Sequence, residues 1–247
     1  MKTSPVVLAV IGSLVAGAPV IAASLSVAPV GLDLSTDQKA GAIALTNLAA
    51  APVSLQIRIF KWSQIDGADV LAPTTDVVAS PPATTIPPGA AYTIRVMRIA
   101  RTPVAASENY RLLIDEIPKP IDPVTTMRGV TMVMRTSLPV FFTPAKAVGH
   151  VVWTLTSDHA GVHLLGTNSG GRHVKLSDLA IETPAGRLAL GGNLAGYILP
   201  GTGRRFDLQP AAGDAPMVAR LVPGAKVTIT AKDGLTGLRD DVHVATP

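Results

Sequence analysis

The sequence predicts an all-β protein built from two β-sandwiches. Three observations carry the prediction. Short segments alternate apolar and polar residues, the period of two that belongs to a sheet with one wet face. Proline and glycine punctuate the gaps, at Pro81-Pro82, Pro87-Pro88-Gly89, Pro200-Gly201 and Pro223-Gly224. No long segment carries a helical period, and many short strands with frequent turn signals indicate sandwiches.

Taken in chain order, the first residues read as a targeting segment. Lys2 is followed by an apolar core from Val6 to Val15, and Val20-Ile21-Ala22-Ala23 offers small residues for cleavage. This is the pattern of a secretory signal peptide over residues 1–23. Cleavage after Ala22 or Ala23 would leave about 220 residues, enough for one large or two ordinary domains. The next clear strand is Val53-Ser54-Leu55-Gln56-Ile57-Arg58-Ile59-Phe60. The Pro/Thr/Ala-rich piece from Pro73 to Pro88 reads as a long surface loop. Tyr92-Thr93-Ile94-Arg95-Val96-Met97 alternates again. Tyr110 to Pro118 and Met134 to Pro144 read as two further strands. The latter ends at a proline, and a new strand begins near His150-Val151-Val152-Trp153. A boundary at Thr143-Pro144-Ala145-Lys146 divides the chain into 24–143 and 144–247, each the size of one immunoglobulin-like sandwich. The second half ends with strands at Ala225–Thr230 and Val242-His243-Val244. Tyr110 and Trp153 are expected in the core, Trp62 partly buried, and Asp240-Asp241 in a turn.

Composition narrows the function. There is no cysteine, so an exported chain of this kind holds its fold by core burial alone. The formal charge of +4 includes Lys2, and the other basic residues are scattered. That pattern does not track a phosphate backbone, so no nucleic-acid partner is expected. No catalytic residues are expected either: Gly-x-Ser-x-Gly, Ser-x-x-Lys and P-loop motifs are all missing. His159 and His163 stand four apart, but Gly161 lies between them and Val162-His163-Leu164-Leu165 reads as strand, so neither a metal nor a cofactor is expected.

Several segments together resemble the PapD-like periplasmic chaperones of pilus assembly. Pro29-Val30-Gly31-Leu32-Asp33-Leu34 is similar to that family's opening strand. Leu45-Thr46-Asn47-Leu48 with Pro52, and Phe60-Lys61-Trp62, resemble the B and C strands. Ile86-Pro87-Pro88-Gly89 resembles the turn before strand E, and Glu108 with Tyr110-Arg111 the start of strand F. Thr167-Asn168-Ser169-Gly170-Gly171-Arg172-His173 and Gly196-Tyr197-Ile198-Leu199-Pro200-Gly201 resemble two motifs of the second domain. The Arg-x-Ser-x-Pro-Val-Phe run from Arg135 to Phe141 looks like the G strand of the archaic, Csu-type branch.

The resemblance implies two immunoglobulin-like domains arranged as a bent, boomerang-like molecule. It implies a periplasmic chaperone that stabilises pilus or fimbrial subunits by donor-strand complementation and delivers them to an outer-membrane usher. A subunit lacking its last strand exposes apolar side chains and unpaired backbone, both costly in water. A lent strand covers both. Val130, Met132 and Met134 have the period-two spacing for the lent face, each worth roughly 1.5–3 kcal/mol when buried. The pattern alone leaves open whether they point outward or fill the domain's own core, and the resemblance favours outward. The free protein is then expected to self-associate through this strand or to cover it with a loop.

Classical members of the family it resembles anchor the client's terminal carboxylate with an Arg in the opening strand and a Lys late in the G strand. Gly31 and Pro139 occupy those positions here. Arg135 is the leading replacement, followed by Arg111 and Arg98, because a guanidinium grips a carboxylate with paired hydrogen bonds. The alternatives are a structural pilus subunit or adhesin, and an exported enzyme on a sandwich scaffold.

Overall fold

The computed structural model describes residues 25–118, 133–158, 161–190, 193–208 and 213–246. The proposed signal segment lies outside them, as do Val130, Met132 and His159. Among the described residues the first half holds ten strands: β1 (Leu25–Ala28), β2 (Leu32–Ser35), β3 (Ala40–Asn47), β4 (Val53–Ile65), β5 (Ala68–Pro73), β6 (Val77–Ser80), β7 (Ala83–Ile86), β8 (Ala91–Arg98), β9 (Glu108–Glu116) and β10 (Arg135–Thr143). One sheet runs β1-β3-β8-β6, and the facing sheet β2-β10-β9-β4-β5, with β7 on the first part of β4. Alternate residues of each sheet meet in one core. Ile43, Leu45, Ile94 and Val96 from one side pack with Leu55, Ile57, Leu112, Ile114, Val140 and Phe142 from the other.

The second half contains β11 (Val151–Asp158), β12 (Gly161–Asn168), β13 (Val174–Thr183), β14 (Gly186–Ala189), β15 (Leu194–Ile198), β16 (Gly203–Asp207), the single-turn helix α1 (Ala215–Val218), β17 (Lys226–Asp233) and β18 (Thr236–Ala245). Its strands run β14-β13-β17-β18-β11-β12-β16, with β15 on β13. Two wings enclose a second core, in which Trp153, Leu155 and Leu164 pack with Leu176, Ile181, Val227, Ile229 and Val244. They join through a short parallel pairing of Leu155 and Thr156 with Val244 and Ala245.

The halves share a corner that the sequence hides. Asn47 ends β3 and Asn168 ends β12, and both are fully buried. Asn47 Nδ2 donates to the carbonyls of Ala51 and Ile86, and its Oδ1 accepts from the Ala49 N–H. Asn168 Nδ2 donates to the carbonyls of Arg172 and Ile198, and its Oδ1 accepts from the His150 and Gly170 N–H groups. Three residues after each isoleucine a glycine N–H returns to the asparagine carbonyl: Gly89 to Asn47 at 2.8 Å and Gly201 to Asn168 at 2.9 Å. Both glycines have positive φ, 69° and 71°, the left-handed conformation that favours glycine. Ile-Pro-Pro-Gly and Ile-Leu-Pro-Gly are therefore the same device used twice.

Three expectations need correction. The segment from Pro73 to Pro88 is not one loop but contains β6 and β7, which pair with β8 and β4. Asp240 and Asp241 lie inside β18, where Asp241 accepts from Thr228 Oγ1 and pairs with Lys226. Trp62 is fully buried, because the second half covers it.

Candidate functional site

Strand β10 has two unlike ends. Along one side it pairs with β9 throughout, from Arg135 opposite Asp115 to Phe142 opposite Glu108. On the other side β2 joins it in parallel only from Val140 to Thr143. From Arg135 to Pro139, no strand among the described residues occupies that side.

The phase of the exposed edge follows from two hydrogen bonds. The Met134 carbonyl accepts from the Glu116 N–H at 3.0 Å, so even-numbered residues turn their backbone groups toward β9. The Thr143 carbonyl accepts from the Thr36 N–H at 3.1 Å, so odd-numbered residues turn theirs the other way. Arg135 and Ser137 therefore present N–H and C=O to the free edge. Pro139 presents only a carbonyl, and its missing N–H falls on the side where no partner strand needs it. A Cβ on Gly31 would lie 2.9 Å from Pro139 Cγ, so the chain entering β2 passes flat against the proline and ends the open stretch. Gly31 and Pro139, the two positions at which the resemblance to classical chaperones leads one to expect an anchoring pair, thus lie side by side, and neither is charged.

The side chains of β10 also alternate. Leu138, Val140 and Phe142 face the first core, while Arg135, Ser137, Pro139 and Phe141 face away from it. Met134 belongs to the first set. It lines a small apolar recess at the open end of that core with Leu25, Val53, Leu55, Ile114 and Thr136, and Glu116 closes one side. The expectation that Met134 points to the outward face is therefore corrected. Its even number places it on the core side, where the core ends, and Arg135 points outward.

The three candidate arginines are not brought together. Arg98, on β8, gives Nε and Nη2 to the two oxygens of Glu108, both at 2.8 Å, and further bonds to the carbonyls of Ala100 and Thr102. Its donors fasten the turn after β8, and Glu108 stands at the end of β9 far from Arg135. Arg111 stands opposite Pro139 on the outward face. Its guanidinium lies 3.7 Å over the Trp62 ring and 5.7 Å from that of Tyr197. Burial lowers its pKa, Asp69 at 3.9 Å opposes that, and the like charge of Arg204 lowers it further. Arg204, on β16, was invisible to sequence reasoning, because only the fold brings the second half beside Arg111. Arg135 is largely exposed and pairs with Asp115, whose other oxygen accepts from Arg58 Nη2 at 2.6 Å.

The closed end of β10 is keyed to the second half. Trp62 and Phe141 cluster with Tyr197 and Leu199. His173 stacks on Phe141 with ring centroids 3.4 Å apart, and its Nδ1 lies 3.2 Å from Ser107 Oγ. Burial, and then the charge of Arg172, depress the His173 pKa to about 3. The ring is neutral at neutral pH, so the approach of Asp33 at 3.6 Å is not an ion pair. Gln64 makes four bonds across the junction and beside it. Its Nε2 donates to Asp69 and to the Tyr197 carbonyl, and its Oε1 accepts from the Leu199 N–H and Thr202 Oγ1.

The chain thus folds as two sandwiches with a half-open edge strand beside their junction. Residues 24–147 match the family "Pili and flagellar-assembly chaperone, PapD N-terminal domain", and the chain belongs to that family. No curated protein matches the chain. Among solved structures, it is similar to a chain of the CsuC–CsuE chaperone–tip adhesion subunit pre-assembly complex from the archaic Csu pili of Acinetobacter baumannii. That match has 21% identity and a TM-score of 0.66, and covers 91% of this chain and 100% of that one. A chain of the Salmonella enterica SafA pilin complex with the SafB chaperone matches at 12% identity and a TM-score of 0.62, covering 90% and 97%. The CupB2 chaperone of Pseudomonas aeruginosa matches at 15% identity and a TM-score of 0.57, covering 89% and 100%. At these identities the likeness establishes the fold.

Proposed function

We propose that the protein is a periplasmic chaperone that captures pilus subunits by lending them β10. The observation that carries this reading is the open edge from Arg135 to Pro139, beside a strand whose other end is locked under the second half. A subunit strand added there would pair with the N–H and C=O groups of Arg135 and Ser137. It would also extend the sheet over the open end of the first core, so Met134 would meet the subunit's apolar interior on the core side. Val130 and Met132 share its parity and are proposed to continue that face, with Met132 flexible enough to fill unlike grooves. Arg111, with Arg204 beside it, is the proposed anchor for a client carboxylate.

The same reading assigns residues 1–23 to export, 24–143 and 144–247 to two domains, and an outer-membrane usher as the recipient of the client. The likeness to the Csu complex supports placement in the archaic branch. A chaperone without its client is proposed to pair through the same edge with a second copy. The role is one of binding rather than catalysis.

The test is co-expression with the reading frames that neighbour its own, followed by co-purification. Native chaperone is expected to retain a stoichiometric subunit. Ser137→Pro removes one edge N–H, so it should keep its circular dichroism and lose the subunit. A Ser137→Pro protein that retains the subunit as well as the native chain does would refute edge pairing. The intact mass of the exported protein should correspond to a start at Ala23 or Ser24.

A further inference from the structure

The outward flank of the β10 edge has a chemistry of its own. Gln56 on β4, Asp115 on β9 and Arg135 on β10 stand in one row across the sheet. Arg58 stands two residues along β4 on the same face. The Asp115 carboxylate is divided between two guanidiniums: Oδ2 accepts from Arg58 Nη2 and Oδ1 from Arg135 Nε. Burial raises the Asp115 pKa, but the hydrogen bonds from Arg135 and Arg58 outweigh it and hold the carboxyl below its usual range. One anion therefore meets two cations. Glu116, the next acid on β9, has the opposite parity and lines the recess on the core side.

The arrangement leaves donors over. Arg58 Nε is buried and, among the described residues, has no hydrogen-bond partner. The Arg135 side chain is 63% exposed, and its contact with Asp115 uses Nε. The ladder places a surplus cation at the residue that borders the free edge. Directly opposite residues on neighbouring strands have Cβ atoms about 4.5–5.5 Å apart, so a side chain facing Arg135 from an added strand lies within reach of its terminal nitrogens.

We infer that this flank selects partner strands carrying an acidic side chain opposite Arg135. The inference rests on the edge-pairing reading above and adds the chemistry of the partner: an extended segment, apolar on its core side and bearing Asp or Glu on its outward side. The contact is solvent-exposed, so it discriminates between partners and weakens with salt.

Three synthetic strand peptides test it. All carry valine at alternate positions, and the intervening positions are Glu, Gln or Lys. Binding to the full exported chain is followed by fluorescence anisotropy at low and high ionic strength. The expected order is Glu, then Gln, then Lys, with about tenfold between the extremes at low salt and about twofold at high salt. Arg135→Gln should collapse the Glu-to-Lys ratio toward unity, and Arg135→Glu should invert it, with unfolding midpoints checking that each variant folds. Equal binding of the three peptides to the native chain would overturn the inference and leave edge pairing standing. So would a preference that survives Arg135→Gln. Failure of every peptide to bind would sink edge pairing itself, and the inference with it. If neither variant folds, the peptide order and its salt dependence on the native chain decide the matter alone.

Discussion

The two ends of β10 are built from one strand and do opposite things. From Val140 to Phe142 both backbone edges are paired, and both faces are buried, one in the first core and one under Tyr197 and His173. From Arg135 to Pro139 one edge is open, the outward face carries a polar ladder, and the core beneath it ends in a recess. The difference is made by β2, which pairs with only the last four residues. A strand offered to a partner must be held firmly somewhere, or the ordering entropy of the whole strand falls on the binding step. The closed end supplies that hold, and the open end supplies the unpaired groups.

Substitutions at the closed end should be felt by the fold, and those at the open end by the client. The largest effect is expected for Phe142→Ala. It empties a fully buried position that meets Tyr110 edge-on at 6.1 Å, and should cost about 3–5 kcal/mol in denaturant unfolding. A loss under 1 kcal/mol would mean that this end is not the anchor. Acid should come next. The folded His173 pKa lies far below its unfolded value near 6.5, so between them the unfolded chain binds more protons. Stability is complete above about pH 6.5 and is lost as pH falls toward 3, with a slope of at most about 1.4 kcal/mol per pH unit from this group. His173→Phe keeps the stacking on Phe141 and should flatten that slope. An unchanged slope would place the titration elsewhere.

Gln64→Leu strands the Tyr197 carbonyl and the Leu199 N–H, and should cost about 1–3 kcal/mol. Its signature is earlier proteolysis between the halves rather than loss of the first core. The smallest effect on stability belongs to the open end. Arg135→Gln removes an exposed ion pair and should change stability by less than about 1 kcal/mol. A larger loss would make the Arg58–Asp115–Arg135 ladder part of the scaffold.

Much of this contrast could be read in the chain beforehand, and the unread part has physical causes. Alternation identified β4, β8 and β17, because a strand with one wet face announces itself residue by residue. Strands β6 and β7 were missed because each has four residues and lies among prolines and threonines, where pairing rather than pattern makes the strand. Arg135 was found because it lies on the lending strand. Arg204 was not, since nothing near it in sequence points to Arg111. The face of Met134 was misread because parity fixes only which residues share a side. Which side is the core depends on where the neighbouring strands stop. The burial of Trp62 likewise depends on Tyr197 and Leu199, more than 130 residues away.

Hydrogen–deuterium exchange along β10, with and without a co-purified subunit, tests the central claim most directly. In the free protein the amides of Thr136 and Leu138, bonded to β9, should be protected, while those of Arg135 and Ser137 exchange freely; Pro139 has none. Subunit binding should protect Arg135 and Ser137 and leave Thr136 and Leu138 as they were. Arg135 and Ser137 amides that exchange equally fast in the monomeric free protein and in the complex would contradict the account.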